Sequence, residues 1–129
     1  RSSHITIAPS ISDSERASLL QTSLCVCYTP HREHFGIVPL EAMYAGSPVI
    51  AINSGGPKET VINNVTGKLV LNSPDAFANA IYEMIIDPKR AREMGRNGHS
   101  RVKHGFGIEK FRLEWLTIID PNHNFQISF

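Results

Sequence analysis

Apolar residues in this 129-residue chain switch between short unbroken runs and helix-spaced stripes, and that switching predicts its elements. The first run, at 4–8, is β-branched at Ile5, Thr6 and Ile7 and is stopped by Pro9, which predicts a strand. Ser12, Asp13, Ser14 and Glu15 have capping-box spacing ahead of Ala17, Leu19 and Leu20, so a helix should run to about Thr22. Residues 24–28 are apolar without alternation, the pattern of a strand buried on both faces. Ile37, Leu40, Met43 and Tyr44 then recur at helical spacing until Gly46, which is placed as a C-terminal cap. A strand at 48–52 leads into Asn53, Ser54, Gly55, Gly56 and Pro57, with Pro57 expected at the first position of a short helix carrying Glu59.

The second half repeats the scheme. A strand is expected at 68–71, and Ser73, Pro74 and Asp75 open a helix whose stripe includes Phe77, Ile81, Met84 and Ile85. Asp87 and Pro88 start another helix, which Gly105 and Gly107 break. A final helix over 108–119 carries Phe111, Trp115 and Ile118 on one stripe, read as core or as a docking face; the tail at 121–129 shows no pattern. Strands alternating with helices predict one α/β domain over 1–120, a Rossmann-like parallel sheet flanked by helices. Ligands of such sheets bind beyond the carboxyl ends of the strands, and both glycine-bearing turns leave from those ends.

Composition narrows the function classes. With 41% hydrophobic residues the chain supports one core, and 13 basic against 12 acidic residues give a charge of +1 with no long run of either sign. Nucleic-acid capture is not expected; the basic stretch from Lys89 to Lys103 is interrupted by Glu93 and reads as a solvated helix face. Cys25 and Cys27 share one face of a strand and read as reduced, buried thiols rather than a disulfide scaffold or zinc site. No apolar run reaches a membrane span and no signal-peptide pattern is present, so a soluble chain is expected. Asn64-Val65-Thr66 matches a glycosylation sequon but sits in turn chemistry, which is the reading taken here.

The chemistry concentrates between Glu33 and Glu41. These carboxylates, eight apart, bracket a turn of Phe35, Gly36, Ile37 and Val38 that opens a helix. A helix N-terminus offers free N–H groups to a phosphate, and Gly36 lets the backbone come close. Pro39 fits the first turn, and Glu41 lies about one turn in, where its two oxygens suit the hydroxyls of a ribose. Glu33, outside the helix, would face a sugar. Gly55 and Gly56 make a second tight turn that admits a ligand, Glu59 follows at a helix start, and Lys58 reads as a solvated cation. His31 and His34 have no further ligand cluster nearby, so no metal is assigned.

In order, Glu33 and Glu41, Phe35-Gly36-Ile37, Glu41-Ala42, Gly46 with Pro48-Val49-Ile50-Ala51, Gly55-Gly56 with Glu59, and Thr66-Gly67 resemble the retaining glycosyltransferases of the GT-B fold, family four, in their nucleotide-sugar-binding C-terminal domain. The resemblance runs from about Ile5 to Leu116. Within that family, Tyr28-Thr29-Pro30, the stretch from Glu33 to Tyr44 and Asn53 to Pro57 are most similar to the GDP-mannose-dependent mannosyltransferases of dolichol-linked oligosaccharide assembly. By this resemblance Glu41 holds the ribose, the amides near Gly36 to Val38 hold the diphosphate, Glu33 meets the donor sugar as the catalytic-site acid, and no cofactor or metal is needed. The resemblance also implies an Arg and Lys pair upstream of this chain, two further sheet strands and an acceptor-binding N-terminal domain, with the parent protein at the cytosolic face of the endoplasmic reticulum. The chain alone is therefore expected to be inactive, and the strand at 4–8 either to move into the vacant slot of the sheet or to pair with another chain as a homodimer edge. A UDP-sugar donor, or a nucleotide-binding assembly module without catalysis, are the alternatives.

Overall fold

The computed structural model describes residues 4–30 and 37–104, which fold in the order α1 (Asp13–Thr22), β1 (Val26–Tyr28), α2 (Ile37–Tyr44), β2 (Val49–Ile52), α3 (Gly55–Thr60), β3 (Gly67–Val70), α4 (Pro74–Ile86) and α5 (Pro88–Lys103). The strands form a parallel sheet in the order β1-β2-β3, with Val26 opposite Val49, Tyr28 opposite Ala51, and Ile52 opposite Val70. Parallel neighbours need a crossover, and α2 and α3 supply the two.

All four residues of β2 are buried, which explains its unbroken apolar run. Side chains of a strand alternate between faces, so Val49 and Ala51 pack with Leu40, Ala42 and Met43 of α2, with Val61, and with Val102 of α5. Ile50 points the other way, into Ala80 and Met84 of α4 and Ala91 and Met94 of α5. Leu40, Met43 and Ile50 are fully buried, and each contributes about 1.5–3 kcal/mol by leaving water.

Helix ends follow the side-chain chemistry. Ser12 Oγ accepts from the Glu15 N–H at 3.1 Å while the Ser12 N–H donates to Glu15 Oε1 at 2.9 Å, a complete capping box. The Ser12 N–H, with the Ser12 hydroxyl, holds the Glu15 carboxyl below its ordinary pKa. Ser73 Oγ accepts from the Ala76 N–H and Asp87 Oδ1 from the Arg90 N–H, starting α4 and α5. Gly46, with φ of 89°, ends α2 in the left-handed region. α5 then crosses this turn so closely that a Cβ on Gly95 would lie 2.1 Å from the Gly46 carbonyl oxygen. One turn further on, His99 Nδ1 donates to the Tyr44 carbonyl at 2.8 Å, and burial pushes the imidazole pKa down.

Four expectations need correction. Residues 4–8 form no strand: no neighbouring strand lies beside them among the described residues, and Ile5 and Ile7 are 68% and 85% exposed. β1 is shorter than 24–28 and is an edge strand of the described sheet, with Val26 and Tyr28 half-buried and Cys27 exposed, so neither it nor its thiols are fully buried. Pro57 is the third residue of α3, because Gly55, with φ of 60°, already begins the turn. Ile85 lies on the exposed side of α4. The helix at 108–119, with Phe111, Trp115 and Ile118, and the tail at 121–129 lie outside the described residues.

Candidate functional site

In a parallel sheet the helices that follow the strands begin at one edge, and here α2 follows β1 and α3 follows β2 through residues 53–54. The N-terminus of α2 and the start of α3 therefore open at the same edge, and the two helices are in contact. Ile37 and Val38 are the first residues of α2, Val38 half-buried, and Pro39 is fully buried in its first turn. Gly55 and Gly56 begin α3 and Glu59 lies within it. Glu33, Phe35 and Gly36, with His31 and His34, lie outside the described residues.

Glu41 is the buried acid of this region, 5% exposed, between Leu40 and Ala42 on α2. Burying a carboxylate is costly unless it is paired and hydrogen-bonded. Its partner is Arg16 of α1: Nη2 donates to Glu41 Oε1 in a close ion pair. Burial pushes the Glu41 carboxyl above its ordinary pKa, the Arg16 hydrogen bond and charge pull it back, and Asp13 adds to the rise. Arg16 is held in turn, with Nη1 3.8 Å from Asp13 Oδ1. α1 is tied to the sheet side by Ser47, whose Oγ donates to the Leu20 carbonyl.

Arg16 was not among the residues expected from sequence. A signal was present in the spacing: Leu20 packs on the α2 core cluster, and Arg16, four residues earlier, shares its helix face. A buried acid on the neighbouring helix needs a cation, and Arg16 is the α1 cation that can reach it.

Other features lie elsewhere. An open groove of about 550 Å³ is lined by Ile62, Val65, Thr66, Asn97, Ser100, Arg101 and His104. Residues 62–66 precede β3, which puts this groove at the amino edge of the sheet, opposite the site. Asn64 there adopts φ of 67°, and Thr66 is buried with Oγ1 accepting from the Ile62 N–H, so the sequon segment is a turn. Among the described residues no three metal-ligating side chains cluster, and no helix is long and apolar enough to cross a membrane.

A Rossmann-like parallel sheet carries a buried, helix-borne carboxylate toward its carboxyl edge, and the chain belongs to the family described as Glycosyl transferases group 1, whose sequence pattern matches residues 2–101. Human alpha-1,3/1,6-mannosyltransferase ALG2 is 49% identical over 108 residues, 84% of this chain and 26% of the relative, so the chain spans about a quarter of that protein's length. The C-terminal domain of LpcC, a glycosyl transferase group 1 family protein of Francisella tularensis, superposes with a TM-score of 0.70 at 28% identity, over 80% of this chain and 53% of that one. Anabaena HepE, solved in complex with UDP, superposes with a TM-score of 0.66 at 29% identity, over 77% of this chain and 29% of that one. The fold is thus that of the C-terminal domain of a GT-B glycosyltransferase.

Proposed function

We propose that this chain is the donor-binding part of a retaining mannosyltransferase that takes GDP-mannose and acts on a dolichol-linked oligosaccharide at the cytosolic face of the endoplasmic reticulum. The observation that carries the donor reading is Glu41, a carboxylate 5% exposed and ion-paired on a helix that opens at the carboxyl edge of a parallel sheet. A ribose presents two adjacent hydroxyls, and one carboxylate can accept from both. The choice of mannose is supported by the 49% identity to human ALG2, which is named an alpha-1,3/1,6-mannosyltransferase.

In this reading the α2 N-terminus, with the amides from Gly36 to Val38, meets the diphosphate, while Gly55, Gly56 and Glu59 border the same edge. Glu33 meets the sugar hydroxyls. The bond from the anomeric carbon to the diphosphate breaks as an acceptor hydroxyl oxygen attacks on the same face, and the hydroxyl proton passes to the leaving diphosphate. Catalysis consists of stabilising the negative charge that grows on that diphosphate while the sugar becomes cationic, and the reading assigns this to backbone amides and basic groups without a metal.

The test is calorimetric titration of GDP, GDP-mannose, UDP and UDP-glucose into wild type and Glu41→Ala. The expected outcome is preference for the guanosine ligands with about tenfold or greater loss in Glu41→Ala, the scale of a hydrogen bond to a charged group. A UDP-sugar donor is the second reading, favoured by HepE having been solved with UDP; preference for UDP and UDP-glucose would establish it. Absence of Glu41-dependent binding would overturn both.

A further inference from the structure

We infer that Arg16 is the positioning residue for Glu41: from α1 it takes one carboxylate oxygen and so turns the other toward the hydroxyls of the nucleotide ribose. This rests on the donor reading above and goes beyond it by assigning a residue on a different helix, outside the turn that meets the nucleotide.

The geometry carries it. Glu41 is nearly excluded from water, whereas Arg16 is about one-third exposed, so the guanidinium reaches in from the rim to Oε1. A carboxylate has about four lone-pair sites, and one guanidinium N–H on Oε1 leaves acceptor capacity on the group while fixing its rotation. Arg16 does not swing freely, because Asp13 holds its other terminal nitrogen and the capping box at Ser12 and Glu15 fixes the first turn of α1. Ser47, just before β2, anchors the far end of the same helix. The orientation of a buried acid on α2 is thereby tied to the sheet through α1.

The same pair sets the acid's charge. Burial favours the protonated form of Glu41 and Arg16 opposes it. Of the elements packed against α2, α1 brings Asp13, which adds to the rise. α5 brings His99, bonded to the Tyr44 carbonyl, and Arg101, whose Nε donates to the Thr60 carbonyl; it also carries Lys103. α3 carries Lys58, β1 carries Cys27 and Tyr28, and β2 has no titratable group. Arg16 is thus the cation that opposes burial. Without it Glu41 holds its proton to higher pH, and a protonated carboxyl is the weaker acceptor for a diol.

The experiment has two readouts on wild type, Arg16→Gln and Arg16→Lys: the titration midpoint of the Glu41 carboxyl by carbon NMR without nucleotide, and the pH profile of GDP affinity by calorimetry. Arg16→Gln is expected to raise the Glu41 midpoint, to weaken GDP about tenfold near neutral pH, and to weaken it further as pH falls. Arg16→Lys keeps the charge but not the planar fork; its midpoint stays near wild type while affinity falls about threefold, and it remains readable if the Gln variant does not fold. An Arg16→Gln protein with an unmoved Glu41 midpoint, a pH-independent loss, or either variant binding GDP as wild type does would overturn the inference. Glu41→Gln separates the two claims: if it binds GDP like wild type, the donor reading falls and this one with it. If it weakens GDP while the Arg16 variants do not, only this one falls.

Discussion

A single carboxylate shows how burial turns an ordinary side chain into a candidate for chemistry. Glu41 was legible as a candidate because it stands about one turn inside α2, which begins at Ile37; its burial was not, because sequence does not say which face of that helix meets α1. Its counter-ion was missed for the same reason: only packing of α1 on α2 brings Arg16 to Oε1. The cysteines went the other way. Their spacing put both on one strand face, but the expectation of burial failed for Cys27, which is exposed on an edge strand. There the Cys25 thiol donates to the Cys27 sulfur, holding Cys27 down to about 7 and pushing Cys25 up, with burial and the Cys27 charge reinforcing that rise. Iodoacetamide is therefore expected to alkylate Cys27 before Cys25, with a half-maximal rate near the pKa of about 7, and Cys25→Ala should move that midpoint up into the ordinary thiol range. Mass spectrometry of the alkylated peptides across a pH series checks both, and faster labelling of Cys25 would contradict the assignment.

Elements whose local signals agreed with one another were read correctly. α1 had its capping box, α4 and α5 had a cap residue followed by Pro, and α2 ended where Gly46 stood. Segment 4–8 had β-branched residues only, and a strand exists through its neighbour rather than through its own composition. No such neighbour lies beside it among the described residues, so the propensity went unused. Close approach between elements was equally invisible in sequence: Gly95 sits mid-helix, where glycine is unfavourable, because α5 runs over the Gly46 turn with no room for a methyl group. Gly95→Ala should improve helix propensity and yet destabilise the protein by about 1–3 kcal/mol or more, since the obstructing atom is backbone and cannot rotate away. Urea denaturation read beside Arg96→Ala, at an exposed position of the same helix, checks this; equal or greater stability for Gly95→Ala would mean the helices part more easily than the contact suggests.

At the scale of the whole molecule, the two edges of the sheet are built differently. At the amino edge α5 crosses the Gly46 turn and Ser47 holds α1; the carboxyl edge is where α2 and α3 begin and where Glu41 lies one turn in. Fold class was readable from alternation alone because β2 is buried on both faces and has an unbroken apolar run, whereas the donor's identity rests on resemblance, since a base is recognised largely by backbone and shape. What ties these levels together is the proposed contact between Glu41 and a ribose diol, and a double-mutant cycle between the protein and its ligand reads it directly. GDP and 2′,3′-dideoxy-GDP are titrated into wild type and Glu41→Ala. Removing the two hydroxyls is predicted to weaken binding to wild type by about tenfold or more and to leave Glu41→Ala almost indifferent. Equal losses in both proteins would mean that the ribose is held elsewhere, and would contradict the assignment of Glu41 to the donor.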